Sequence, residues 1–137
     1  MNKELTIEAL VKKNKDVISF VDDELARLEV PNSVRVEMVT VAEEIFLNIA
    51  NYAYEDGQGD ATVRMEIDED KRTITLSFID SGKEFDPLAK EDPDIYLPIE
   101  ERPIGGLGIL MVKKMMDSVS YYREDDKNHL TVTKKWA

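Results

Sequence analysis

The feature that most constrains this fold is a change of apolar period midway along the chain. Met38, Val41, Ala42, Ile45, Ile49 and Ala53 recur at the three- and four-residue steps of a helix. Shortly afterwards Ala61, Val63, Met65 and Ile67 alternate with Thr62, Arg64 and Glu66, the period of a half-buried strand. A helix with one apolar stripe and a strand with one apolar face each need covering, and layering one on the other satisfies both. The cluster Asp56-Gly57-Gln58-Gly59-Asp60 between them reads as a turn.

The same reading extends to both ends. Leu5, Ile7, Ala9 and Val11 alternate as a first strand would, and Asn14 is placed to cap a helix carrying Val17, Ile18, Val21, Leu25 and Leu28. Val30-Pro31-Asn32 punctuates the chain before the second helix, which is expected to run to about Tyr54. Asp68 to Lys71 is a tight acidic turn and Arg72 to Asp80 the returning strand, so this pair reads as a hairpin. Leu107, Leu110, Met111 and Met115 trace a third helix. Val119 to Arg123 and His129 to Trp136 then form a terminal hairpin around Glu124-Asp125-Asp126-Lys127, with His129 on the strand surface. The predicted fold is α+β: a two-layer sandwich with three main helices on one face of a mixed, mostly antiparallel sheet. The chain's 137 residues, 42% of them hydrophobic, suit a single domain spanning 1–137. The proline- and acid-rich segment 87–104 has no clear period and is long for an ordinary connection, which marks it as a lid.

Twenty-nine acidic against eighteen basic residues give a formal charge of −11, which argues against nucleic-acid or anionic-membrane partners. Cysteine is absent, so disulfides and thiolate metal sites are excluded. No apolar run is long enough to cross a bilayer and no signal peptide is visible, so a soluble, cytoplasmic protein is expected.

Three short motifs carry chemistry. On the second helix Glu44, Asn48 and Tyr52 fall on one stripe beside the apolar face. A neutral amide oxygen at Asn48 suits magnesium, which takes few protein ligands and completes its shell with phosphate oxygens and water. A carboxylate one turn earlier is placed to take a proton from an attacking hydroxyl or water. In the strand ending Ile74, Leu76, Phe78, Asp80, the carboxylate shares the apolar face, a costly position unless it is hydrogen-bonded, and the exocyclic amino group of adenine is a suitable donor. Gly82, lacking Cβ, permits close approach of a base. Gly105-Gly106-Leu107-Gly108 opens the third helix, whose free N–H groups and dipole favour phosphate. Singly, each motif has a plain structural reading: a solvent-facing helix stripe, an Asp turn cap, a glycine-rich turn. Their conjunction reads as a nucleotide site.

With these residues placed, the chain resembles the GHKL, or Bergerat-fold, ATPase and kinase superfamily. Glu44 to Tyr54 is similar to its N box, Asp80-Ser81-Gly82-Lys83-Glu84-Phe85-Asp86-Pro87 to its G1 box, and Gly105-Gly106-Leu107-Gly108 to its G2 box. The Tyr52-Ala53-Tyr54 ending, Phe85-Asp86-Pro87 and Glu101-Arg102-Pro103 resemble the anti-sigma-factor serine kinase branch, the RsbW and SpoIIAB type. That branch often carries His where this chain has Tyr52. The resemblance implies Glu44 as general base, Asn48 as magnesium ligand, Asp80 as adenine contact, and Gly82, Gly106 and Gly108 as glycines that admit base and phosphates. Asn51, Phe85, Arg102, Gly105 and Leu107, inside or beside these boxes, join the implied nucleotide contacts. It further implies ATP and magnesium as cofactors, a sigma factor and a STAS-domain protein as partners, and a homodimer. The expected activity is protein serine/threonine kinase; the alternative is a nucleotide-gated binding module without transfer.

Overall fold

A computed structural model describes residues 2–89 and 106–137. The elements run β1 (Asn2–Glu8), a short 3-10 turn (Val11–Lys13), α1 (Asn14–Arg27), α2 (Asn32–Tyr52), β2 (Asp60–Asp68), β3 (Thr73–Asp80), α3 (Gly106–Met115), β4 (Ser118–Glu124) and β5 (Lys127–Lys135). The strands form one five-stranded sheet in the order β1-β2-β3-β5-β4. Every described pairing is antiparallel, where the sequence had left room for a mixed sheet.

The two periods meet as their spacing requires. Val63, Met65, Ile74, Leu76, Phe78 and Val132 point to one face of the sheet and are fully or almost fully buried. Val17, Val21 and Leu25 of α1 and Met38, Val41, Ile45 and Phe46 of α2 close over that face. The opposite face carries cross-strand hydroxyl pairs, Thr6 with Thr62 at 2.9 Å and Ser77 with Thr131 at 3.1 Å. His129 lies there too, stacked on Tyr122 with ring centroids 4.3 Å apart.

Two local expectations are corrected. The first strand stops at Glu8 rather than running to Val11. Its last ladder pair is Glu8 with Asp60, one more bond joins the Ala9 N–H to the Gly59 carbonyl at 2.8 Å, and beyond that β2 has no residue left to pair. Val11 therefore enters the 3-10 turn, 54% exposed. Asn14 does not cap α1: it is already helical, Lys13 precedes it without a side-chain cap, and Asn14 Oδ1 has no hydrogen-bond partner. At α2 the punctuation works as read. Pro31 is extended, and its carbonyl accepts from the Val34 and Arg35 N–H groups, both at 3.0 Å.

Candidate functional site

A pocket opens where α2, the inner face of the sheet at the end of β3, the following turn and the start of α3 meet. Ile45 and Ile49 of α2 and Phe78 and Leu130 of the sheet make its walls apolar. Asn48 and Asp80 bring polar groups into that apolar setting, so the first two motifs converge. Tyr52, one turn beyond Asn48, also lines it, as does the half-exposed ring of Phe85. Asn51 is exposed and does not line the pocket.

Asp80 is only 7% exposed and needs donors to be held there as a carboxylate. Its Oδ1 accepts from the Gly82 N–H at 2.9 Å and from Asn128 Nδ2 at 3.0 Å. Oδ2 receives no hydrogen bond from any described residue and retains the capacity for a further donor. An apolar slot with one open acceptor at its wall fits a base that carries an exocyclic amino group.

The turn after β3 is pinned to the end of α2. Gly82 is buried, and a Cβ built on it would overlap the Ala53 carbonyl, so the close approach seen at this glycine is that of the helix end. Next to it the Lys83 N–H donates to the same Ala53 carbonyl at 3.0 Å. Tyr54 completes the join: its hydroxyl accepts from the Ser81 N–H at 2.8 Å and donates to the Asp60 carbonyl at 2.6 Å. Burial pushes the Tyr54 phenol above its ordinary range, which keeps it protonated for that donation.

The third motif reaches the first through Gly108. A Cβ at Gly108 would overlap the carboxylate of half-buried Glu44, so the first turn of α3 lies directly against the candidate base. Gly106 and Leu107 sit in that turn. Arg102, Gly105 and nearly all of the lid segment 87–104 lie outside the described residues. Among the described residues no group of three His, Asp or Glu side chains converges on a cation position. A hard divalent cation here would rely on Asn48, with a ligand's phosphate oxygens and water supplying the rest, an arrangement magnesium accepts.

Sequence reasoning passed over Asn128, Tyr121 and Arg123. Asn128 is 6% exposed and lines the pocket. The signal that finds it is pairing register: Asp80 stands opposite Asn128 across β3 and β5, and Arg123 opposite Asn128 across β4 and β5.

Residues 7–134 match the family described as the histidine kinase-like ATPase domain. Among related sequences, the serine/threonine-protein kinase BtrW of Bordetella bronchiseptica is 28% identical over a stretch covering 73% of this chain and 70% of that protein. The serine-protein kinase RsbW of Bacillus cereus is 29% identical over 65% of this chain and 57% of its own length. Among solved structures, the RsbU and RsbW domains of a Mycobacterium tuberculosis protein superpose with a TM-score of 0.69 at 17% identity, covering 98% of this chain and 32% of that one. The SiaB–SiaC complex of Pseudomonas aeruginosa gives 0.59 at 17% identity, covering 95% of this chain and 88% of the matched one. At such identity the two structures speak to the fold, and they agree with helices layered on an antiparallel sheet.

Proposed function

The chain belongs to the histidine kinase-like ATPase domain family, and within it we propose an ATP-dependent protein serine/threonine kinase that acts as an anti-sigma regulatory factor. It binds a sigma factor and phosphorylates a STAS-type antagonist on a serine. The observation that carries this reading is convergence. Asn48 and Asp80 line one pocket with Ile109 of α3, and Glu44, one turn before Asn48 and outside that lining, lies against Gly108 at the start of α3, which supports a site shared by three motifs distant in sequence. That BtrW and RsbW are named serine kinases supports the choice of acceptor.

In this reading Asp80 accepts from the base through Oδ2, the apolar walls and Phe85 enclose the ring, and the first turn of α3 receives the phosphates. Asn48 would hold magnesium, which when bound would supply charge neutralisation of the phosphates. Glu44 takes the proton of the substrate serine as its oxygen bonds to the terminal phosphorus. The bond from that phosphorus to the bridging oxygen breaks, and the electron pair leaves with ADP. The protein works in the cytoplasm as a homodimer.

Incubation with ATP labelled on its terminal phosphate and a STAS-domain protein from the same genome tests the reading. Label is expected on a serine of the STAS protein. Glu44→Ala is expected to keep Mg-ATP affinity nearly unchanged while slowing transfer by about 10²–10⁴-fold. Tight ATP binding with no transfer to any STAS partner would replace the kinase with a nucleotide-gated binding module.

A further inference from the structure

Asn128 is the most heavily bonded side chain in the pocket. Its Nδ2 donates to Asp80 Oδ1 at 3.0 Å and to the Lys83 carbonyl at 2.8 Å. Its Oδ1 accepts from the Tyr121 hydroxyl at 2.5 Å, from Arg123 Nη1 at 3.1 Å and, more weakly, from the Phe85 N–H at 3.4 Å. Arg123 Nη1 also donates to the Gly82 carbonyl at 3.0 Å, tying the same cluster to the turn after β3.

The orientation of the amide follows from its neighbours' chemistry. A guanidinium and a backbone N–H can only donate, so the side of Asn128 facing Arg123 and Phe85 must be its oxygen. A carboxylate and a carbonyl can only accept, so the side facing Asp80 and Lys83 must be its nitrogen. Reversing the amide would set oxygen against oxygen at Asp80 and donor against donor at Arg123. With five partners, Asn128 has little capacity left to bond a ligand itself.

We propose that Asn128 is a specificity-determining positioning residue: locked by Arg123 and Tyr121, it occupies Asp80 Oδ1 with a donor that cannot be lost. Asp80 is thereby left with Oδ2 as its one open position, presented as a pure acceptor. The site then takes purines with an exocyclic amino donor at that place and refuses those with a carbonyl, such as hypoxanthine. This rests on the assignment of Asp80 to the base made above.

Asn128→Asp is the discriminating substitution. It keeps size and shape but sets a second carboxyl against Asp80, and two carboxyls at hydrogen-bond distance share a proton. Among the described residues, the charged and titratable groups around position 128 are Asp80 on β3, Tyr121 and Arg123 on β4, and Lys83, Glu84 and Asp86 in the turn; Tyr52 of α2 lines the same pocket. Arg123 offsets part of the added charge, and the acids oppose it. Of two pH values, about 6 and about 8, the lower is the one at which the pair holds a shared proton more of the time and so can donate as well as accept.

The experiment measures ATP and ITP affinities by calorimetry at both pH values for the wild type and Asn128→Asp, with circular dichroism to confirm folding. The wild type is expected to prefer ATP by at least about tenfold at both. In Asn128→Asp that preference should shrink by about tenfold at the lower pH and recover in part at the higher. Arg123→Met, which removes a donor to the amide oxygen and the tie to the Gly82 carbonyl and so loosens Asn128 against Asp80, should reduce the preference several-fold without the pH dependence. A wild type that binds ATP and ITP equally overturns the assignment of Asp80. A discriminating wild type whose folded Asn128→Asp and Arg123→Met variants discriminate equally well overturns the role given to Asn128 alone.

Discussion

Glu44 and Gly108 contest a space that one methyl group would fill, which makes Gly108→Ala a probe of the proposed base that leaves Glu44 itself unsubstituted. The atom met first by an added Cβ is a carboxylate oxygen at the end of a flexible side chain, so the fold survives and Glu44 moves. Displacing a reacting group by about 1 Å can cost roughly 10²-fold in rate. Transfer is expected to fall by that order with a much smaller change in ATP affinity; if affinity collapses instead, the crowding acts on the phosphates and not on Glu44. Asp80→Asn separates the other end of the site. An amide can present a donor where the base needs an acceptor, and the resulting unpaired group costs about 1–3 kcal/mol of binding. Unchanged ATP affinity by calorimetry would remove Asp80 from the base. Asp80 was legible in the sequence because it breaks an apolar alternation, Ile74, Leu76, Phe78, at its last member. Asn128 was not, because its neighbours Lys127 and His129 give it no pattern; its role comes from a partner far away in the chain.

At the scale of elements, α1 is fastened to β1 by Glu24, a carboxylate with only 5% of its side chain exposed that bonds Arg27 and, at 2.6 Å, Lys3. The Arg27 hydrogen bond first, and the Lys3 bond second, hold its pKa at about 2 against an ordinary 4.5. The folded value is the lower one, so the stabilisation is complete above the unfolded pKa and is lost as pH falls from about 4.5 towards about 2. Urea melts of the wild type should therefore weaken across that interval, and Glu24→Gln should be less stable at neutral pH while losing less on acidification. Parallel pH profiles for the two proteins would show that Glu24 is not a linked group. The clamp joins an edge strand to a helix, and neither end was identifiable from spacing, since Lys3 and Glu24 sit on separate elements whose relative placement only the packed core decides. The helix and strand periods themselves were legible, as was the terminal turn: Asp125 and Asp126 both take positive φ, 54° and 60°, as a two-residue hairpin connection demands. The end of β1 was not, because it is fixed by where β2 runs out of partners rather than by any residue in β1.

The whole molecule carries a formal charge of −11, yet the proposed ligand is itself a polyanion. Beyond contact distance the two repel, and the repulsion reaches roughly a Debye length, about 10 Å at 0.1 M salt. Within contact distance the proposed reading sets other terms: apolar walls around the base, one acceptor at Asp80, helix-end N–H groups for phosphate, and a metal that the uncharged Asn48 would hold. Salt and metal should therefore act on different steps. Raising monovalent salt from about 20 to about 200 mM is expected to speed ATP association several-fold, because it screens the approach, while leaving dissociation almost unchanged. Chelating magnesium should weaken affinity sharply by removing the charge that lets phosphates settle beside Asn48 and the Glu44 carboxylate, and it should steepen the salt dependence of association. Stopped-flow measurements with a fluorescent ATP analogue, with magnesium and with chelator, separate the two. Association that slows with salt would mean that cations near the pocket, Lys83 first among the described residues, outweigh the net charge in guiding ATP. Affinity indifferent to chelation would mean that Asn48 holds no metal, and the helix end at Gly106 would have to receive the phosphates alone.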